Sequence, residues 1–300
     1  MRKKTDDNLS GIIVIDKHEG VTSHTIVSKC RRLFDTSRIG HTGTLDPMAT
    51  GVLPVMVGRA AKASDYLMAD DKEYECRFVL GFETDTEDVT GDVISTSTFL
   101  PPENDVIETA CGFVGKQSQI PPMYSAIKVN GRKLVDLARR GETVERKARE
   151  IEIKALEIKK YSENEYFMKV KCSKGTYIRT LCADIGKKLG CGAAMSSLRR
   201  TQSGCFTIET SIGIAELEAM SYEERVKRLM PVESVFLHLP EISLTDAEKK
   251  RIRDGMALDM ECSGITGLVR LRSNGEMFAL GKATSEDGHT VVKQEKLFIL

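Results

Sequence analysis

The sequence predicts a mixed α+β protein whose main body is built on a largely antiparallel sheet, followed by a small β-rich module. Three observations carry this. Strand-length apolar runs outnumber helical ones, only two long segments show a clear helical period, and strands do not alternate with helices as in doubly wound proteins. With 41% hydrophobic and 29% charged residues over 300 positions, the chain can bury a sizeable core, and its length favours two domains.

GIIVIDK (11–17) reads as a buried strand, ended by the turn His18-Glu19-Gly20. Thr22 or Ser23 is placed to cap a helix whose Ile26, Val27, Cys30, Leu33 and Phe34 share one face. A polar, glycine-rich loop covers 39–51, and VLPVMVG (52–58) follows as an apolar strand. Residues 72–82 and 89–97 read as two strands joined by the acidic turn ETDTED. The stretch 111–131 reads as loop around Pro121-Pro122, with a hairpin turn at Asn130-Gly131. Residues 151–172 return to strand. Ile178, Leu181, Cys182, Ile185 and Leu189 then recur at helical spacing, and Gly190 stops that helix. A boundary is expected near 235–243, giving domains 1–238 and 239–300. The second holds a short basic helix in LTDAEKKRIRDG and a hairpin turning at Asn274-Gly275, and is too small to be a second enzyme.

No run approaches the roughly 18 apolar residues of a membrane span, and the opening MRKKTDDNLS lacks the apolar core of a signal peptide. A cytoplasmic protein without membrane contact is expected. The eight cysteines (30, 76, 111, 172, 182, 191, 205 and 262) include no C-x-x-C pair. They are expected to be reduced core residues, with neither a zinc site nor a disulfide framework. Charges balance at 44 of each sign, but unevenly along the chain. Residues 65–92 carry ten acids against two bases, 127–150 eight bases against four acids, and 169–202 eight bases against Asp184 alone. Basic segments of this kind can present a positive face to a polyanion.

The most unusual segment is IGHTGTLDPMATG (39–51). It is a tight loop holding a single carboxylate, Asp46, against Pro47. It lacks the G-x-x-x-x-G-K-[ST] pattern of a phosphate-cradling loop, so nucleotide binding is not indicated. No second carboxylate or Ser-His pair lies nearby. If the loop is catalytic, Asp46 acts alone as nucleophile or base.

GHTGTLDPMATG resembles the active-site motif of the TruB family of tRNA pseudouridine synthases. Further motifs similar to that family's follow the expected order: DKHEGVTS (16–23), KEYECRFVLGFETDTEDVTGDV (72–93), QIPPMYSAIKVNGRKL (119–134), KGTYIRTLCADIGKKLG (174–190) and SSLRRTQSG (196–204). The resemblance covers roughly residues 10–235. It implies a pseudouridine-synthase core, with the C-terminal module similar to a PUA-type RNA-binding domain. It also implies isomerisation of the T-loop uridine-55 of tRNA, by an enzyme that flips the base and needs no cofactor and no metal. By this resemblance Asp46 is the nucleophile. Attack at C1′, attack at C6 and abstraction of a ribose proton all remain open. Arg179 would hold the carboxylate, Tyr74 would stack on the uracil, and His41 would face the T loop. Tyr177 and Leu198 would line the pocket, and Lys17 would be structural near the site. The implied partner is the T arm of tRNA, bound by a monomer, with 127–150 and 169–202 as the phosphate-contacting face.

Three departures stand out: His18 where the family usually has Pro, Ala194 where His is common, and Val135-Asp136 in place of a Tyr-acid pair. They bear on local packing and tRNA contacts. The competing expectations are an RNA-binding factor that keeps the fold without the chemistry, and an isomerase acting on other RNA. Tritium release from C5 of uridine in unmodified tRNA separates them.

Overall fold

The computed structural model describes residues 9–67, 71–260, 264–286 and 289–298. The expectations placed on residues 1–8, on Asp70 and on Cys262 lie outside them.

The strands in chain order are β1 (Ser10–Lys17), β2 (Ile39–His41), β3 (Thr50–Gly58), β4 (Lys72–Leu80), β5 (Phe82–Thr84), β6 (Val93–Thr96) and β7 (Gly115–Gln119). After them come β8 (Lys128–Val129), β9 (Arg132–Lys133), β10 (Arg149–Lys160), β11 (Glu165–Cys172), β12 (Ala193–Ser203), β13 (Phe206–Thr207) and β14 (Ile212–Gly213). The large sheet runs β14-β1-β3-β12-β4-β11-β10-β7, with β2 on β3 and β13 on β12. Its pairings are antiparallel except β1 with β14 and β3 with β12. The expected α+β class, with its largely antiparallel sheet, is what the chain adopts.

β1 is a continuous apolar run because both of its faces are covered. Ile13 and Ile15 enter one core with Ile26 and Cys30 of the helix Ser23–Leu33 and its C-cap Phe34, and with Leu181, Cys182 and Ile185 of the helix Ile178–Leu189. Ile12 and Val14 enter a second core with Phe206, Val232 and Phe236. Thr22 caps the first helix, its hydroxyl accepting from the Thr25 N–H at 3.0 Å, and Gly190 ends the second at φ +76°.

From Glu241 the chain builds a separate five-stranded sheet, β15-β17-β18-β19-β16, from β15 (Glu241–Ser243), β16 (Leu258–Met260), β17 (Gly267–Ser273), β18 (Glu276–Glu286) and β19 (His289–Leu297). The helix Asp246–Arg253, capped by Thr245 and Glu248, packs on it. Met277, Leu280 and Phe298 reach into the second core, where the Phe298 ring stacks on Phe236 at 5.9 Å.

Several expectations are corrected. β4 does not pair with residues 89–97. It lies between β11 and β12, and β5 forms its own hairpin with β6. Residues 39–41 pair with β3 instead of opening the loop, and 115–119 form edge strand β7 on β10. Cys111 and Cys205 are exposed, not core. Two of the bases in 169–202, Arg179 and Arg200, are interior, which leaves fewer charges for a polyanion.

Candidate active site

Asp46 sits in the loop joining β2 to β3, and four anchors fix that loop. The Ser23 hydroxyl accepts from the Leu45 N–H at 2.8 Å and donates to the Leu45 carbonyl at 3.0 Å. The Pro47 carbonyl accepts from the Gly20 N–H at 2.9 Å and from Lys17 Nζ at 3.2 Å. Lys17 also donates to the carbonyls of His18 at 3.0 Å and Val21 at 2.8 Å. Leu45 and Ala49 are buried on either side of the carboxylate. Lys17 is fully buried at the end of β1, and that burial lowers its pKa to about 8, with Asp46 and Glu19 pulling the other way.

Arg179, in the first turn of the helix Ile178–Leu189, approaches the carboxylate from across a cavity of about 290 Å³. Its Nε lies 3.0 Å from Asp46 Oδ2 and its Nη1 3.6 Å from Asp88 Oδ2. Nη1 also donates to the Thr86 carbonyl at 2.8 Å, and Nη2 to the Tyr124 carbonyl at 2.9 Å. Asp88 is held in turn: its Oδ1 accepts from Thr86 Oγ1 at 2.9 Å, from the Thr90 N–H at 3.0 Å and from Thr90 Oγ1 at 2.5 Å. The acidic turn is therefore the clamp that orients the guanidinium. Burial pushes the Asp46 carboxyl up, against the pull of Arg179; Asp88 adds to the rise and Lys17 opposes it.

The cavity wall comes from two neighbouring strands. Tyr74 of β4 and Arg200 of β12 are directly paired, as are Cys76 and Leu198. Tyr74, Leu198 and Arg200 all line the cavity, with Lys72 at the start of β4 and Tyr177 at the N-cap of the helix Ile178–Leu189. Burial raises the Tyr74 phenol, while the Arg200 guanidinium paired across from it pulls the other way. The Tyr177 backbone is fixed by Gln119, whose Oε1 accepts from its N–H at 2.8 Å and whose Nε2 donates to its carbonyl at 3.1 Å.

The sequence-derived residues divide by position. Asp46, Tyr74, Tyr177, Arg179 and Leu198 share one cavity. Lys17 lies behind it under the loop, and half-buried His41 ends β2 outside the lining. His41 Nδ1 accepts from the Gly43 N–H at 3.2 Å, and burial with the Arg200 charge holds its imidazole below the usual pKa. Sequence reasoning missed Arg200 and Asp88. Arg200 stood unremarked in SSLRRTQSG, because nothing local distinguishes a buried arginine from a solvated one. For Asp88 the signal was present: Thr-x-Asp-x-Thr at 86–90 is the pattern of a side chain capping its own turn.

Among the described residues, no group of three or more His, Cys, Asp or Glu is placed to hold a metal ion, and no helix is long and apolar enough to cross a membrane.

Residues 31–178 match the family described as TruB family pseudouridylate synthase (N terminal domain), and residues 179–237 match the tRNA pseudouridylate synthase B C-terminal domain. The chain is 44% identical over 283 residues, 93% of each chain, to a protein named tRNA pseudouridine synthase B from Francisella philomiragia. A protein of the same name from Francisella tularensis subsp. tularensis is 45% identical over 249 residues, 82% of each chain. Among solved structures, one described as a Cbf5-Nop10-Gar1 complex superposes with a TM-score of 0.72 at 29% identity, covering 98% of this chain and 86% of that one. Another, described as an H/ACA RNP bound to a substrate RNA containing 2'-deoxyuridine, gives 0.71 at 26% identity, with the same coverage.

Proposed function

Since the chain belongs to the TruB family of pseudouridine synthases, isomerases that act on tRNA, we propose that it converts uridine-55 of the tRNA T loop to pseudouridine, with Asp46 as nucleophile. The observation that carries this reading is a lone carboxylate, braced by Arg179, opening into a cavity walled by Tyr74 and Leu198.

The reaction breaks the C1′–N1 bond, forms C1′–C5, releases the C5 proton and returns a proton to N1, with no net change in atoms or electrons. The uracil has to detach, turn and reattach without escaping, so the nucleotide is flipped out of the loop into an enclosed site. A cavity of about 290 Å³ has room for one nucleoside. Asp46 acts on the ribose or the ring; its three routes share one requirement, an ionised oxygen held in place. Arg179 meets it by pairing with the carboxylate while two backbone carbonyls fix its plane.

Tyr74 offers a ring to stack on the uracil and a hydroxyl to take or relay the C5 proton. Leu198 and Tyr177 shape the pocket, and Lys17 positions the Asp46 loop through Pro47. His41, held neutral by burial and by Arg200, suits stacking in the space a flipped base leaves better than a phosphate contact. The exposed bases Lys128, Arg132, Lys133, Arg139, Arg140, Lys147 and Arg149, with Lys171, Lys174, Lys187 and Lys188, are the proposed phosphate face for the T arm. The enzyme is proposed to act as a cytoplasmic monomer without cofactor or metal. Its catalytic domain is 1–238, and 239–300 is a PUA-like RNA-binding module.

The test is tritium release from [5-³H]uridine in an unmodified tRNA transcript, with the product mapped by position. Release at 55 alone is the expected result. Binding without release would place the chain among RNA-binding factors, and release from other RNAs among isomerases of a different target.

A further inference from the structure

Arg200 is fully buried on the cavity wall, and Asp46 is not its partner. Its Nε donates to the Val52 carbonyl at 2.7 Å and its Nη2 to the Gly43 carbonyl at 3.2 Å. Both carbonyls belong to the segment that brackets Asp46. The backbone itself is built around this residue. Gly51, at φ +100°, approaches so closely that a Cβ would lie 2.2 Å from the Arg200 carbonyl oxygen. A guanidinium can only donate hydrogen bonds. Directly across from it, on the same face of the sheet, stands Tyr74.

We propose that Arg200 is the positioning residue for Tyr74: anchored on the Gly43 and Val52 carbonyls, it donates to the phenolic oxygen and so fixes where the hydroxyl proton points and how readily the oxygen holds charge. With Arg200 as donor, the Tyr74 oxygen is an acceptor on that side, and its own O–H is left to face the cavity. When the hydroxyl relays a proton, accepting the one from C5 as its own passes to the uracil N1, charge changes on that oxygen are met by a fixed, desolvated cation. The same guanidinium ties the Asp46 loop to β12, so the two reacting groups share one rigid reference. This inference rests on the proposed role of Tyr74.

The experiment is a double-mutant cycle of Arg200→Gln and Arg200→Lys, each in the parent chain and in Tyr74→Phe. Single-turnover rates are read at saturating enzyme, with Tm and tRNA affinity alongside. The expected result is a fall of ten-fold or more for Arg200→Gln in the parent chain and under three-fold in Tyr74→Phe, with tRNA affinity changed by less than about three-fold in both. Arg200→Lys keeps the charge and loses the fork, so it is expected between the two, and it carries the test if Arg200→Gln does not fold. Equal rate losses with and without the Tyr74 hydroxyl would mean that Arg200 serves only the Asp46 loop, and the inference falls. A parent chain with no activity on tRNA would instead sink the functional reading itself.

Discussion

The Arg179 guanidinium lies 3.0 Å from Asp46, yet it is oriented from behind, by Asp88 at 3.6 Å and by the carbonyls of Thr86 and Tyr124. One buried cation thus faces two carboxylates, and only Asp46 opens onto the cavity. An ammonium cannot reproduce this planar arrangement, because it lacks the fixed directions of the fork. Arg179→Lys is therefore expected to lower single-turnover pseudouridine formation at least a hundred-fold while tRNA affinity changes by only a few-fold. A loss of affinity that tracks the loss of rate would show that Arg179 organises the RNA site instead.

Asp46→Asn keeps the shape of the side chain and removes its charge. Turnover is expected to vanish, with tRNA affinity within a few-fold of the parent, since phosphate contacts over a wide surface supply the binding. Stability is expected to hold or rise. Burial raises the Asp46 pKa, so its contribution is fully present below the unfolded pKa and is lost as pH rises through the folded one. The ionised carboxylate is thus the form the fold disfavours, and Asn removes it. A Tm clearly below the parent's would contradict this account. For the same reason, the acid limb of the parent's single-turnover rate is expected above the ordinary aspartate range. Arg179→Lys weakens the main opposing influence and should move that limb to higher pH.

Lys17 gives the opposite pH signature. Its folded pKa of about 8 lies below the usual 10.5, so between these values the unfolded chain binds more protons than the folded one. Stability then rises with pH. Two to three pKa units correspond to about 3 kcal/mol, at about 1.36 kcal/mol per unit. Denaturant titrations at pH 7.5 and pH 10 are expected to show the parent gaining on Lys17→Met over that interval. Parallel pH profiles for the two chains would show that the ammonium is not desolvated as the fold implies.

Despite the balanced charge, affinity for tRNA is expected to fall steeply with salt, with a log–log slope of about −0.7 to −0.9 per neutralised phosphate. Replacing Arg139 and Arg140 by Gln should reduce the slope and leave the rate at saturating enzyme unchanged. A flat salt response would remove the basic segments from the RNA face.

Much of the local structure was legible because its causes are local. Alternating burial of Ile12, Ile13, Val14 and Ile15 on two faces makes β1 a continuous apolar run, and the helical period from Ile178 to Leu189 ends at a glycine that needs positive φ. Asn130-Gly131 and Asn274-Gly275 turn hairpins because both residues of each pair take φ > 0. Strand partners were not legible. The acidic segment looked like the turn of a hairpin begun by β4, but β4 pairs with strands far away in sequence, and the turn instead carries the clamp on Arg179. Asp46, Tyr74 and Arg179 could be singled out through a resemblance, and the fold brings them to one cavity. Arg200 could not, because its burial depends on the carbonyls of Gly43 and Val52, about 150 positions away.

The position of β12 has a consequence for how the molecule comes into being. β3 and β4 are neighbours in sequence, yet the strand lying between them is made more than a hundred residues later. During synthesis the β12-facing edge of β4, and the Thr50–Gly51 end of β3 that β2 does not cover, wait unpaired for on the order of ten seconds at about 5–20 residues per second. Exposed edges of this kind invite pairing with other chains. The insertion of β12 also delivers Leu198 and Arg200 to the cavity wall, so closing the sheet and completing the site are one event. A nascent chain arrested before residue 193 would display an aggregation-prone groove where the finished protein has the cavity beside Asp46.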